Sequence, residues 1–200
     1  MEEPDAIPRL GTPAGALDLP ATAARAAPAP ADEESTMIDN TFNVLFICTG
    51  NSARSIMAEG LMNSLGDRRF KAYSAGSHPS GTVNPLALQT LAALHIPTDG
   101  FRSKSWDEFA VVGSPIMDFV FTVCDSAAGE VCPVWPGQPM TAHWGVPDPS
   151  HVQGPEAVRL QAFLDVAITL RRRIELLLAL PITKLEPLAI QHEIRQIGTR

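Results

Sequence analysis

Cysteine is scarce in this chain and odd in number: three in 200 residues, at positions 48, 124 and 132. An odd set without a secretory leader does not make a disulfide framework, so the thiols are read as free, in a reducing cytoplasm. Basic residues are few, 15 Lys and Arg against 22 Asp and Glu, giving a net charge of −7. Nucleic-acid binders neutralise phosphates with clustered Lys and Arg, so this balance excludes a general one. Long apolar runs are missing as well. The greasiest stretch, IELLLAL at 174–180, falls far short of the roughly 20 residues a membrane helix needs. Arg171-Arg172-Arg173 just before it reads as the solvated face of a helix. Short-spaced metal ligands are absent too: Cys124 and Cys132 enclose seven residues, unlike the usual zinc spacing, so no metal is expected.

What is present is unevenly spread. Residues 1–36 hold ten Ala, six Pro and no aromatic, with seven acidic residues against two basic ones. Such a segment cannot bury enough apolar surface to offset its ordering entropy. It lacks the basic start and continuous apolar region of a secretory signal. Residues 1–40 are therefore read as a disordered, acidic Ala/Pro-rich extension, and 41–200 as one domain with C-terminal helices within 155–198. Met37 stands where the foldable sequence begins, and a natural start there is an expectation that intact-mass measurement checks.

From residue 43 the pattern alternates between strand and helix. NVLFIC (43–48) is a fully apolar run, as a buried parallel strand requires. From Arg54, Met57, Leu61 and Leu65 recur at helical spacing, with Gly66 closing the helix. FKAYSAG (70–76) is a second strand and VNPLALQTLAALHI (83–96) a helix with Pro85 in its first turn. SWDEFA (105–110) reads as a short helix with Ser105 and Glu108 as a capping box. DFVFTVC (118–124) and MTAHW (140–144) are further strands. A long helix over 155–180 starts at Pro155, and a last one covers 186–197. This alternation predicts an α/β layer fold with a parallel sheet. Sites in such sheets lie beyond the carboxyl ends of the strands, where Cys48 and Cys124 both fall.

The segment CTGNSARS (48–55) has a chemistry of its own. It leaves a strand and enters a helix, so its backbone N–H groups are unpaired donors at the positive end of a helix dipole. Gly50 lets the chain curl until Thr49, Gly50, Asn51, Ser52 and Ala53 enclose an anion-sized nest. Asn51 and Ser52 side chains hold the curl. Arg54 adds a planar fork suited to two oxygens of a tetrahedral oxyanion. In that potential the Cys48 pKa is expected well below about 8.5, with Ser55 donating to the thiolate. A core cysteine before an ordinary turn would account for Cys-x5-Arg alone. The apolar strand before it and the serine after it favour a nucleophile.

VLFICTGNSARSIMAEG resembles the phosphate loop of low-molecular-weight tyrosine phosphatases, and more closely that of arsenate reductases built on the same fold. The resemblance continues through YSAGSHPSG, FRSKSWDEF, VCDSAAGEVCPVWPG and HWGVPDP, covering about 42–180. It implies a three-layer α/β sandwich with a four-stranded parallel sheet flanked by helices. It also implies that Asp148, in Asp-Pro, is the general acid, although Asp-Pro is a common turn former.

The cysteines separate two activities. A phosphatase needs only its nucleophile, whereas reducing arsenate to arsenite takes two electrons from thiols. The resemblance implies attack by Cys48 on arsenic, loss of water assisted by Asp148, and attack by Cys124 on Cys48 to release arsenite and leave a disulfide. Cys132 would then carry the disulfide outward across a small-residue loop. Ala53 stands where many small tyrosine phosphatases carry a second loop cysteine, and Tyr73 is the one tyrosine, so the pair beside the acid loop is absent. Thioredoxin-coupled members have six residues between the last two cysteines and this chain has seven, so thioredoxin and a glutathione or mycothiol route with glutaredoxin both stay open. The implied partners are arsenate, with phosphate and sulfate as analogues, and such a redox protein; no bound cofactor, nucleic acid or membrane is expected. The resemblance further implies a potassium site formed by Asn51, Glu59, Ser74 and an acidic residue where Ser105 stands, with Lys104 expected to replace the cation. His143 and Trp144 are read as packing, and His78 as a loop residue. The expected function is arsenate reduction in arsenic detoxification. The alternatives are a phosphatase for phosphotyrosine or small phosphate esters, and a non-catalytic oxyanion-binding module.

Overall fold

The order of apolar strands and amphipathic helices is realised as β1 (Phe42–Cys48), α1 (Arg54–Leu65), β2 (Phe70–Gly76), α2 (Pro85–Ala93), β3 (Phe119–Thr122), β4 (Met140–His143), α3 (Glu156–Leu178) and α4 (Pro187–Gly198). The computed structural model describes residues 41–124, 127 and 134–200. The extension over 1–40 and Cys132, expected to carry the disulfide outward, lie outside the described residues.

The four strands form one sheet in the order β2-β1-β3-β4, and every neighbouring pair is parallel. The expected parallel sheet with flanking helices is therefore present. β1 is central, and Val44 to Cys48 are all buried, which is why that run could be apolar throughout. The chain goes from β1 to β2 on one side, then returns to lay β3 and β4 on the other. The direction of winding reverses between β1 and β3, and a crevice opens beyond their carboxyl ends at such a point.

Packing is dense behind that crevice. Trp144, just after β4, stacks on Phe121 with ring centroids 4.0 Å apart and donates its indole N–H to the Ile194 carbonyl of α4 at 2.9 Å. Trp144 is thus packing, as expected. α1 and α2 both pack against α3, whose buried side chains (Phe163, Val166, Ala167, Leu170, Ile174, Leu177) recur every three or four residues.

Several local expectations are corrected. Gly66 closes α1 as expected, though in a right-handed conformation, and Asp67 takes the positive φ of 50°. The 105–110 segment is a 3-10 turn (Trp106–Phe109) capped by Ser105, which accepts from the Asp107 N–H. Glu108 does not close a capping box but pairs with Arg102. α2 ends at Ala93, before His95 at φ 59°. Pro155 precedes α3 as its cap residue. β3 ends at Thr122, leaving Cys124 beyond the strand. The arginine triplet is only partly solvated: Arg171 and Arg172 are exposed, but Arg173 is buried.

Candidate active site

Cys48 ends β1 and is 3% exposed. The next residues form a tight loop whose carbonyls are taken from outside. Cys48, Thr49, Gly50 and Ser52 oxygens accept from the N–H groups of Ser77, His78, Ser80 and Asn84 at 2.8–3.3 Å. In a trans peptide the C=O of one residue and the N–H of the next point in opposite directions. Outward carbonyls therefore turn the N–H groups of Thr49, Gly50, Asn51 and Ala53 inward. The Asn51 N–H is 3.2 Å from Cys48 Sγ. The residues of the loop thus make the concave donor array expected of an anion nest.

The curl is not made where the sequence suggested. Gly50 keeps an ordinary φ, and Asn51, fully buried, takes φ 43°. Asparagine tolerates that region when its side chain is anchored locally, and here the amide is fully engaged. Its Oδ1 accepts from the Lys104 N–H at 2.8 Å, and its Nδ2 donates to Ser55 Oγ and Ser74 Oγ, each at 2.9 Å. Because Ser55 Oγ accepts from Asn51, its own proton is free to point at Cys48 Sγ, 2.9 Å away. Gly76, at the end of β2, makes room for the loop: a Cβ there would sit 2.5 Å from the Thr49 carbonyl oxygen and 3.0 Å from Asn51 N.

Behind Asn51 lies an ion pair between buried Lys104 and part-buried Glu59. Lys104 Nζ is 3.5 Å from Glu59 Oε2 and 3.4 Å from Ser74 Oγ, and Ser74 donates to Glu59 at 2.5 Å. Burial pushes the Glu59 carboxyl up and the Lys104 amine down, and each charge opposes the other's shift. Three of the side chains expected around the cation are present here, and the Lys104 ammonium stands among them.

Arg54, the first residue of α1, faces the acid segment. Its Nη2 lies 2.5 Å from Asp148 Oδ2 and its Nη1 3.4 Å from the Val146 carbonyl. Asp148 Oδ1 accepts from the Ser150 N–H at 2.9 Å. Burial pushes the Cys48 thiol up from its ordinary value; Cys124 acts the same way, while Ser55 and the Asn51 N–H pull it down. This reverses the lowered pKa expected from the loop sequence. The physical reason is desolvation: the thiol is almost fully buried, and the hydrogen bonds from Ser55 and the Asn51 N–H do not offset the cost of a buried thiolate.

Cys124 closes the crevice from β3. It is 1% exposed, a free thiol like Cys48, and its Sγ is 3.6 Å from Thr49 Oγ1 and 3.4 Å from the Ala127 N–H. The structure brings together Cys48, the loop, Arg54, Asp148 and Cys124. His143 stays on the strand end with Nδ1 2.9 Å from Thr122 Oγ1, and His78 is a loop residue, exposed, contributing its N–H to Thr49. Gly76 was missed as the residue that makes room for the loop; a strand-final glycine before a serine-rich loop was the available signal. Among the described residues, no group of three or more His, Cys, Asp or Glu is placed to hold a metal ion.

A strand-end thiol, a backbone cradle, an arginine fork and a facing carboxylate thus stand together beyond the carboxyl ends of a parallel sheet. The chain belongs to the low molecular weight phosphotyrosine protein phosphatase family, whose pattern matches residues 43–186. It is 35% identical to an arsenate reductase of Staphylococcus xylosus over 125 residues, 62% of this chain and 92% of that one. The arsenate reductase of Bacillus subtilis is 35% identical over 136 residues, 66% of this chain and 91% of that one. A solved arsenate reductase in its oxidized state superposes with a TM-score of 0.56 at 28% identity, over 68% of this chain and 96% of that one. A low molecular weight phosphotyrosine phosphatase from Vibrio cholerae shares the fold, with a TM-score of 0.52 at 20% identity, over 65% and 90% of the two chains.

Proposed function

We propose that this protein reduces arsenate to arsenite with its own thiols as the immediate electron donors. The observation that carries the reading is the second buried thiol, Cys124, beside the nucleophile loop at the end of the adjacent strand. A phosphatase has no use for it. The names of the curated relatives support the same substrate.

Arsenate enters with its oxygens on the loop N–H groups and the Arg54 fork, which exchanges Asp148 for the oxyanion. Asp148, released from Arg54, takes up the proton that Cys48 gives up; the Cys48 thiolate forms an S–As bond, and the departing oxygen takes that proton from Asp148 and leaves as water. Cys124, as thiolate, then attacks Cys48 Sγ. The S–As bond breaks, its electron pair stays on arsenic, and arsenic falls from the +5 to the +3 state as arsenite leaves. The two sulfurs are oxidised to a disulfide. An external thiol must restore them: Cys132 relays the disulfide to thioredoxin, or a low-molecular-weight thiol and glutaredoxin do so directly. The reaction is placed in the cytoplasm, where such reductants are kept reduced.

Single turnover tests this. Reduced protein is mixed with arsenate without external reductant, followed by arsenite assay, thiol counting and disulfide mapping. The expected outcome is one arsenite and two thiols lost per chain, with Cys124 in the bridge. Aryl phosphate hydrolysis without arsenite, even after a low-molecular-weight thiol is supplied, would establish the phosphatase instead. Phosphate binding with neither activity would leave an oxyanion-binding module.

A further inference from the structure

Arg173 occupies a position on α3 where the helix pattern calls for an apolar side chain. Its neighbours at helical spacing, Leu170, Ile174 and Leu177, are fully buried, and Arg173 itself is 7% exposed. Desolvation is the only influence moving its pKa, and it moves it down. No Asp or Glu side chain among the described residues pairs with it. A buried guanidinium is costly unless its donors are engaged.

Three of its N–H donors are engaged, all on main-chain oxygens. Nη1 donates to the carbonyls of Trp144 at 2.8 Å and Gly145 at 3.1 Å, and Nε to the Arg200 backbone oxygen at 3.1 Å. Trp144 and Gly145 follow directly on β4 and lead to Asp148. From the other side, the Trp144 N–H donates to the Thr122 carbonyl and the Val146 N–H to that of Val123. The segment is thus pinned on one edge by β3 and on the other by Arg173. The end of α4 presses on the same root, where a Cβ on Gly198 would lie 2.1 Å from the His143 carbonyl oxygen. Only Pro147, which has no N–H to donate, separates this pinned stretch from Asp148.

We propose that Arg173 is a positioning residue for the acid segment. Its guanidinium fixes the backbone of Trp144 and Gly145 and thereby sets where the Asp148 carboxyl stands over Arg54 and the oxyanion. This rests on the assignment of Asp148 as general acid.

The test is a double-mutant cycle in the full-length chain. Arg173→Met and Arg173→Lys are made alone and in an Asp148→Asn background. Single-turnover arsenite formation is measured against arsenate concentration, and Cys48 alkylation by iodoacetamide reports on the loop. Arg173→Met is expected to lower the saturated rate roughly 10- to 100-fold, as misplacement of a reacting group does. Half-saturation by arsenate stays near wild type and Cys48 alkylation does not fall below it, Arg173→Lys recovers part of the rate, and in the Asp148→Asn background Arg173→Met changes nothing further. An equal loss in both backgrounds, or none in either, overturns the role of Arg173 alone. Wild-type turnover by Asp148→Asn overturns the acid assignment and Arg173 with it. Should Arg173→Met not fold, Arg173→Lys is read by the same criteria.

Discussion

Arg54 Nη2 and Asp148 Oδ2 stand 2.5 Å apart, joined across 94 residues of sequence. The group proposed to grip the oxyanion and the group proposed to protonate its leaving oxygen hold each other. Oxyanion binding must exchange one partner of Arg54 for another, which ties the freeing of Asp148 to the arrival of substrate.

Asp148→Asn removes the carboxylate that engages Arg54. The guanidinium charge then acts on the nucleophile, so the Cys48 pKa is expected to fall and the alkylation profile to move to lower pH. Arsenite formation falls at the same time, by about 100-fold or more, as loss of a general acid does. An alkylation profile that stays put or moves upward would refute the link.

Ser55→Ala removes the hydroxyl that Asn51 orients toward the sulfur. The thiol is already raised by burial, and this loss raises it further. The alkylation inflection is expected above that of the wild type, with a smaller rate at neutral pH. Thermal melting separates this from unfolding.

Gly76→Ala places a methyl against the Thr49 carbonyl, where backbone and not a flexible side chain is the obstacle. Overpacking of this sort costs about 1–3 kcal/mol, read by urea denaturation. Because the strained atoms belong to the loop, phosphate protection of Cys48 from alkylation is expected to weaken as well.

Lys104→Met leaves part-buried Glu59 without its cation, a loss of about 3–5 kcal/mol when the carboxyl is ionised. The folded-state pKa of Glu59 is already raised, and the variant raises it further. A raised carboxyl means that the folded state holds the proton more tightly, so stability falls as pH rises above the ordinary Glu value of about 4.3. Urea midpoints should therefore show a larger deficit at pH 8 than near pH 4.5, and Glu59→Gln in the same chain should remove the difference. A deficit independent of pH would mean that Lys104 contributes packing alone.

The strand run, the donor-rich loop, the arginine after it, the cysteine at the end of β1 and the one just beyond β3 were legible because each is local. Apolar periodicity and residue types within a dozen positions determine them. The same local reading failed at Gly50 and Asn51, since either could supply the turn. Asn51 takes it because Lys104, Ser74 and Ser55, all brought by other elements, saturate its amide. It failed at Arg173 too, because a run of three arginines gives no sign that one turns inward.

By itself, then, the sequence determined an alternating α/β chain with a thiol at the mouth of its first strand and a second thiol after a later one. Only the tertiary structure decided that those strands are neighbours across a reversal of winding, which makes two distant cysteines parts of one crevice. It also decided that Arg54 faces Asp148 and that Cys48 is raised by burial. These are properties of groups far apart in the chain, fixed by packing and desolvation, and no local pattern encodes them.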